Sequence, residues 1–120
     1  MKKLLFFIAL LSVSVLFHSC ENEKSFDETL LWGKWRTVTG NLYYRYLPNH
    51  TGATWDEDDD VHEDEAQGFE WKLVKSELRQ IHIMEMGGAV PKTYTVTELT
   101  ATSLKYRDKF NKSFSFVKAD

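Results

Sequence analysis

From Trp35 to Lys118 apolar and polar residues alternate in short runs broken by turn signals, and this two-residue period restricts the fold more than any other feature. A period of two sends successive side chains to opposite faces of a strand. No segment of the same region sustains the i, i+3, i+4, i+7 spacing of an amphipathic helix. Turn-forming stretches stand at "PNHTG" (48–52), "MGGAVP" (86–91) and "RDKFNK" (107–112). The spacing predicts eight strands, centred on 35–39, 42–47, 52–56, 68–74, 78–84, 92–99, 103–107 and 113–118. Strands joined this tightly pair antiparallel, because a parallel pair needs a crossover of about a dozen residues or more.

One alternating set collects Trp35, Tyr44, Tyr46, Trp55, Phe69, Trp71, Leu73, Ile81, Ile83, Tyr94, Val96, Leu104, Tyr106, Phe114 and Phe116. The opposite set holds Arg36, Arg45, Glu70, Lys72, Thr93, Thr95, Lys105, Ser113 and Ser115. Two-faced strands bury one side only. Eight of them in a meander close most economically into a barrel, which also removes exposed edges. The expected fold is therefore all-β, a small eight-stranded antiparallel up-and-down barrel. Such a barrel is about wide enough inside to be filled by side chains or to hold one small ligand. Ten residues of the inward set are aromatic, so most serve as core, Trp35 and Trp71 among them. Any ligand pocket is confined to one open end, where Tyr44, Tyr46, Trp55 and Tyr94 are the expected lining, their phenol and indole groups suiting an apolar molecule with a polar handle.

The amino-terminal part is of another kind. Lys2 and Lys3 precede an uncharged run over residues 4–17, and small Ser19 stands before Cys20, the single cysteine. This is the pattern of a secretory signal peptide, and the run is short of the roughly 20 residues that span a bilayer. One cysteine forms no intramolecular disulfide, and a free thiol in an oxidising compartment is a liability, so Cys20 is expected to carry chemistry of its own. "LFHSC" resembles the lipobox of bacterial lipoproteins, in which the cysteine is acylated and becomes the first mature residue. The resemblance implies residues 1–19 as lipoprotein signal peptide, 20–29 as lipidated cysteine and polar tether, and 30–118 as the barrel. It places the protein in a bacterial cell envelope, anchored to the outer membrane through Cys20, since several acyl chains together hold firmly.

Within the barrel region, "LLWGKW" carries a Gly-x-Trp at Gly33 and Trp35, which opens the first strand in lipocalins after a short helical turn. "FEWKL", "KTYTVTELTATSLKYRD" and "SFSFVK" resemble the small lipocalin-like domains of Bacteroidota lipoproteins. Lipocalins often place an arginine on the last strand to cover the motif tryptophan; Lys118 is the cation available here.

The chain carries 15 Lys plus Arg against 18 Asp plus Glu. Eight of the acidic residues fall within 56–65, "DEDDDVHEDE", so the acidity is local and nothing suggests a nucleic-acid partner. Asp56, Asp58 and Asp60 match the first positions of an EF-hand loop, but Val61 replaces the turn glycine and Gln67 the closing glutamate. The expectation is a solvated, mobile loop between the third and fourth strands. Placed just after Trp55, it would overhang a barrel mouth and disfavour anionic guests. Weak divalent-cation binding and docking of a basic protein partner are the other readings of it. "HEDEA" at 62–66 lacks the second histidine of a zinc-protease helix, and His50 and His82 have no cysteine partner, so no metal site or cofactor is expected. Neither a nucleophile elbow nor a phosphate loop is present, and no carboxylate pair has apolar cover to shift its pKa. "NHT" at 49–51 reads as a turn. The expected function is a non-catalytic envelope module that holds a small apolar or amphipathic molecule; the alternative is a protein-interaction module such as an envelope inhibitor or accessory subunit.

If Cys20 carries lipid, a Cys20→Ala variant loses fatty-acid labelling and membrane fractionation. An unmodified Cys20 thiol on the wild-type mature protein, seen by mass spectrometry, would disprove the assignment.

Overall fold

The computed structural model describes residues 24–120; Cys20 and the expected signal peptide, residues 1–19, lie outside them. Eight strands follow in chain order: β1 (Gly33–Thr37), β2 (Leu42–Tyr46), β3 (Thr51–Asp56), β4 (Gln67–Val74), β5 (Glu77–Met84), β6 (Gly88–Leu99), β7 (Ser103–Arg107) and β8 (Ser113–Lys118). Each pairs antiparallel with its sequence neighbour, and β1 pairs with β8, so the sheet closes into the expected up-and-down barrel.

The amino-terminal segment plugs one end. A 3-10 turn, η1 (Glu28–Leu30), is capped by Asp27, whose carboxylate accepts from the Thr29 backbone N–H at 3.0 Å. Phe26 donates its backbone N–H to Lys75 in the β4–β5 turn, and Glu28 meets His50 of the β2–β3 turn at 2.8 Å. Leu31 is fully buried behind this plug, and its carbonyl accepts from Trp35 Nε1 at 2.8 Å. Gly33 opens β1 with φ of 119°, a backbone that L residues rarely adopt. The opposite end carries the β1–β2, β3–β4, β5–β6 and β7–β8 connections and has no such plug.

Inside, aromatic rings meet edge to face, as their quadrupoles favour. Tyr46 lies 5.4 Å from Phe69 and 5.6 Å from Trp71, and Tyr44 lies 5.6 Å from Phe116. Phe69 leans over Gly52 on the neighbouring strand, where a β-carbon would collide with the ring and with the Arg45 carbonyl. Glycine at 52 is thus a packing requirement.

The expected inward set needs correction on two strands. On β5, Ile81 and Ile83 face outward, 40% and 50% exposed, while Leu78, Gln80 and His82 face the interior. The cause is register. Val74 and Glu77 pair across a two-residue turn in which Lys75 takes the left-handed backbone. Counting back from that turn sets Leu78 opposite Leu73, Gln80 opposite Trp71 and His82 opposite Phe69, and opposed residues share a face. Local hydrophobicity pointed the other way and lost. On β3, Trp55 pairs with Tyr43, whereas Tyr44 pairs with Trp35 and Thr54, so Trp55 belongs to the outer face.

β6 also begins earlier than expected, at Gly88, so Pro91 sits within a strand. It is tolerated because β7 pairs only with residues 95–99, leaving the first half of β6 without a strand partner on that side. A bulge between Val96 and Glu98 then brings both Val96 and Leu99 inward.

The corrected frame of β5 has a direct test. Leu78→Ala is expected to cost about 2 to 5 kcal/mol, whereas Ile83→Ser should stay within about 0.5 kcal/mol, as surface changes do. Denaturant midpoints showing the reverse order would refute the register.

Candidate functional site

The unplugged end holds a cleft of about 530 Å³ between the first half of β6 and the β7–β8 loop, lined by Pro91, Lys92, Thr93, Tyr94, Asp108, Lys109, Phe110 and Phe114. Its floor is Tyr94 and Phe114, edge to face at 5.9 Å, with Tyr106 4.4 Å from Tyr94 beneath. Asp108 shapes the loop: its Oδ1 accepts the backbone N–H groups of Phe110 and Lys112, each at 2.9 Å. Asn111 turns the chain in the left-handed region, with φ of 66°. Phe110 stands 80% exposed at the rim, with Lys109 Nζ 5.3 Å from its ring. Burial, with the carboxylate of Asp108 nearby, pushes the Tyr94 hydroxyl up to about 12, so it stays neutral.

Below this cleft runs a buried polar chain. Lys92 shares the inner face of β6 with Tyr94, opposite Gln80. His82 Nε2 and Gln80 Oε1 are 2.7 Å apart, so Nε2 carries the proton and donates. Gln80 Nε2 in turn donates to the Tyr46 hydroxyl at 2.8 Å, and the Tyr106 hydroxyl meets the same group. His82 is only 2% exposed; burial, assisted by the charge of Lys92, lowers its pKa from 6.5 to about 4. The imidazole is therefore neutral near pH 7, and Nε2 is its protonated nitrogen.

Of the four residues expected to line a pocket, Tyr94 lines this cleft and the other three do not. Tyr44 and Tyr46 point into the barrel but are consumed by packing, 8% and 1% exposed. Trp55 lies on the outer face, stacked on Tyr43 with centroids 5.2 Å apart and planes 3° from parallel. It is nonetheless 3% exposed, and its indole N–H finds no acceptor among the described residues. The acidic segment packs on this side of the barrel, and none of its residues lines the cleft. Residues 57–65 form two 3-10 turns, η2 (Glu57–Asp59) and η3 (Glu63–Glu65), and η3 packs against β3. Glu63 meets Arg45 at 2.8 Å and Lys34 at 3.9 Å, and Asp58 accepts from the Asn41 side chain at 3.0 Å. The carboxylates remain exposed as expected, but the segment is tied down by cations from β1 and β2. Sequence proximity could not reveal these partners; strand order supplies them.

Lys92, Lys109, Asp108, Phe110 and Phe114 were not anticipated as site residues. The available signal was the length of β6 relative to β7, which opens the seam. The motif residues sit at the other end: Trp35 is fully buried, with Lys118 Nζ 4.7 Å from its ring. Comparison with protein-family models, curated proteins and solved structures found no match for this chain.

The polar chain predicts an acid sensitivity. Above pH ~6.5 His82 is neutral folded and unfolded, and it contributes no pH dependence. As pH falls from ~6.5 towards ~4 the unfolded chain binds a proton that the folded site refuses, so stability declines by up to ~3 kcal/mol. Denaturant titrations at pH 7 and pH 4.5 should show His82→Gln losing less stability than wild type over this interval; an equal loss in both would contradict the assignment.

Proposed function

We propose that this protein is a non-catalytic, lipid-anchored envelope module with a lipocalin-like barrel, which holds a small apolar or amphipathic molecule in the cleft between β6 and the β7–β8 loop. The observation that carries the reading is that cleft: an aromatic floor at the unplugged barrel end with a few polar groups converging on it, the usual composition of a small-molecule site. The filled interior speaks for a shallow seat at the seam rather than a deep calyx. The lipocalin likeness draws support from Lys118, which stands over Trp35 where that family uses arginine. The envelope location rests on the leader and Cys20.

The second reading is a protein-docking module, favoured by Ile81 and Ile83 on the outer face of β5 and by the exposed carboxylates of residues 57–65.

No tryptophan lines the cleft, so indole fluorescence is a poor probe of it. Titrating the ¹⁵N-labelled protein with 4-phenylbutanol should move the amide resonances of residues 92–94 and 108–114 saturably. Tyr94→Ala, with a dispersed spectrum otherwise intact, should weaken the response several-fold. Shifts confined to the outer face of β5 would favour the docking module instead.

A further inference from the structure

The charges of this protein are sorted in space. The acidic segment lies folded against the outer face of β1 to β3, and none of its residues lines the cleft. The cleft has the opposite character. Lys92 and Lys109 line it, and Lys112 stands 5.3 Å from the ring of Phe114 on its floor. None of these three ammonium groups is ion-paired to a described carboxylate. The one acid in the lining, Asp108, holds two backbone N–H groups with Oδ1, and its charge stands against the two lysines of the lining.

We infer that the cleft selects an anionic head group, a carboxylate on a compact apolar body, with Lys92 as its counter-charge; this rests on the small-molecule reading above and refines it. Lys92 is the best placed of the three cations because it rises from the inner face of β6, on the same face as Tyr94 and opposite Gln80. Lys109 and Lys112 lean over aromatic rings. A carboxylate at Lys92 would gain a charge-assisted hydrogen bond while its apolar body covers Tyr94 and Phe114. The Tyr94 hydroxyl is a second donor to the same head. β7 pairs with no residue of β6 before Thr95, so the first half of β6 leaves an open strand edge beside the cleft. A cationic head would meet three like charges. This reverses the expectation drawn from the acidic segment, whose carboxylates face elsewhere.

Three probes with one tail decide the matter: 4-phenylbutyrate, 4-phenylbutanol and 4-phenylbutylamine, titrated into the ¹⁵N-labelled protein and read at residues 92–94 and 108–114. The acid should bind about tenfold more tightly than the alcohol, a difference of about 1.4 kcal/mol, and the amine more weakly than either. Lys92→Gln should abolish the preference for the acid over the alcohol, and Lys92→Arg should keep it. Equal binding of acid and alcohol, or an acid preference undiminished in Lys92→Gln, would overturn the inference and leave the cleft reading standing. Failure of all three probes to shift these resonances would sink the cleft reading itself.

Discussion

The indole of Trp35 joins the two ends of the chain, and the closed sheet depends on that junction. Its N–H is held by the carbonyl of Leu31, its ring lies beneath Lys118, and its backbone stands between Tyr44 of β2 and Lys118 of β8. The donor is satisfied in a fully buried site, where an unpaired one would cost about 1 to 3 kcal/mol. Lys118 also donates to the Trp32 carbonyl, and Asp120 accepts from the Lys34 backbone N–H at 2.9 Å. Three kinds of contact thus meet on β1, and together they replace the edge that an open eight-stranded sheet would expose. The plug at this end leaves the opposite end as the place where chemistry can be presented to solvent.

Strand count, direction and closure were legible in the sequence because turn residues and period-two patterning are local signals. The face of a strand is less local. β4, β7 and β8 read correctly because their aromatic residues fall on one parity, and on β2 Tyr44 and Tyr46 together outweigh Tyr43 on the other. β5 offers "LRQIHIM", with Leu78 on one parity and Ile81 and Ile83 on the other, and only the pairing with β4 resolves it. Trp55 misled in another way: a tryptophan buried against the outside of a barrel has the same sequence signature as one inside. On that outer face it stacks on Tyr43. Among the site residues Tyr94 was legible as an aromatic on the inner face; Lys92 was not, because a lysine on that face makes sense only where the strand outruns its neighbour.

Polar groups inside the barrel are connected in series rather than scattered. Gln80 accepts from His82 with one end of its amide and donates to Tyr46 with the other, so the interior has a direction running from the cleft toward the core. Such a network stabilises when complete and costs most when one member is lost. Tyr44, Tyr46 and Tyr106 all have hydroxyls pushed upward by burial and remain neutral. Uncharged polarity of this kind lets an aromatic core keep hydrogen-bonding groups without carrying a buried ion.

The split personality of β5 also bears on how the chain reaches its native state. A slip of one residue would turn Arg79, Ile81 and Ile83 inward and expel Leu78, Gln80 and His82, gaining two isoleucines at the cost of one leucine and a buried guanidinium. The misregistered hairpin would keep most of its backbone pairing and differ chiefly in which side chains it buries. What rejects it is geometry: the two-residue turn at Lys75 and Ser76 closes only with Val74 opposite Glu77, and the hydrogen bond from the Val96 backbone N–H to the Ser76 carbonyl, at 2.7 Å, pins that turn to β6. Proofreading of strand register in this barrel is thus vested in a connection that contributes almost nothing to its core.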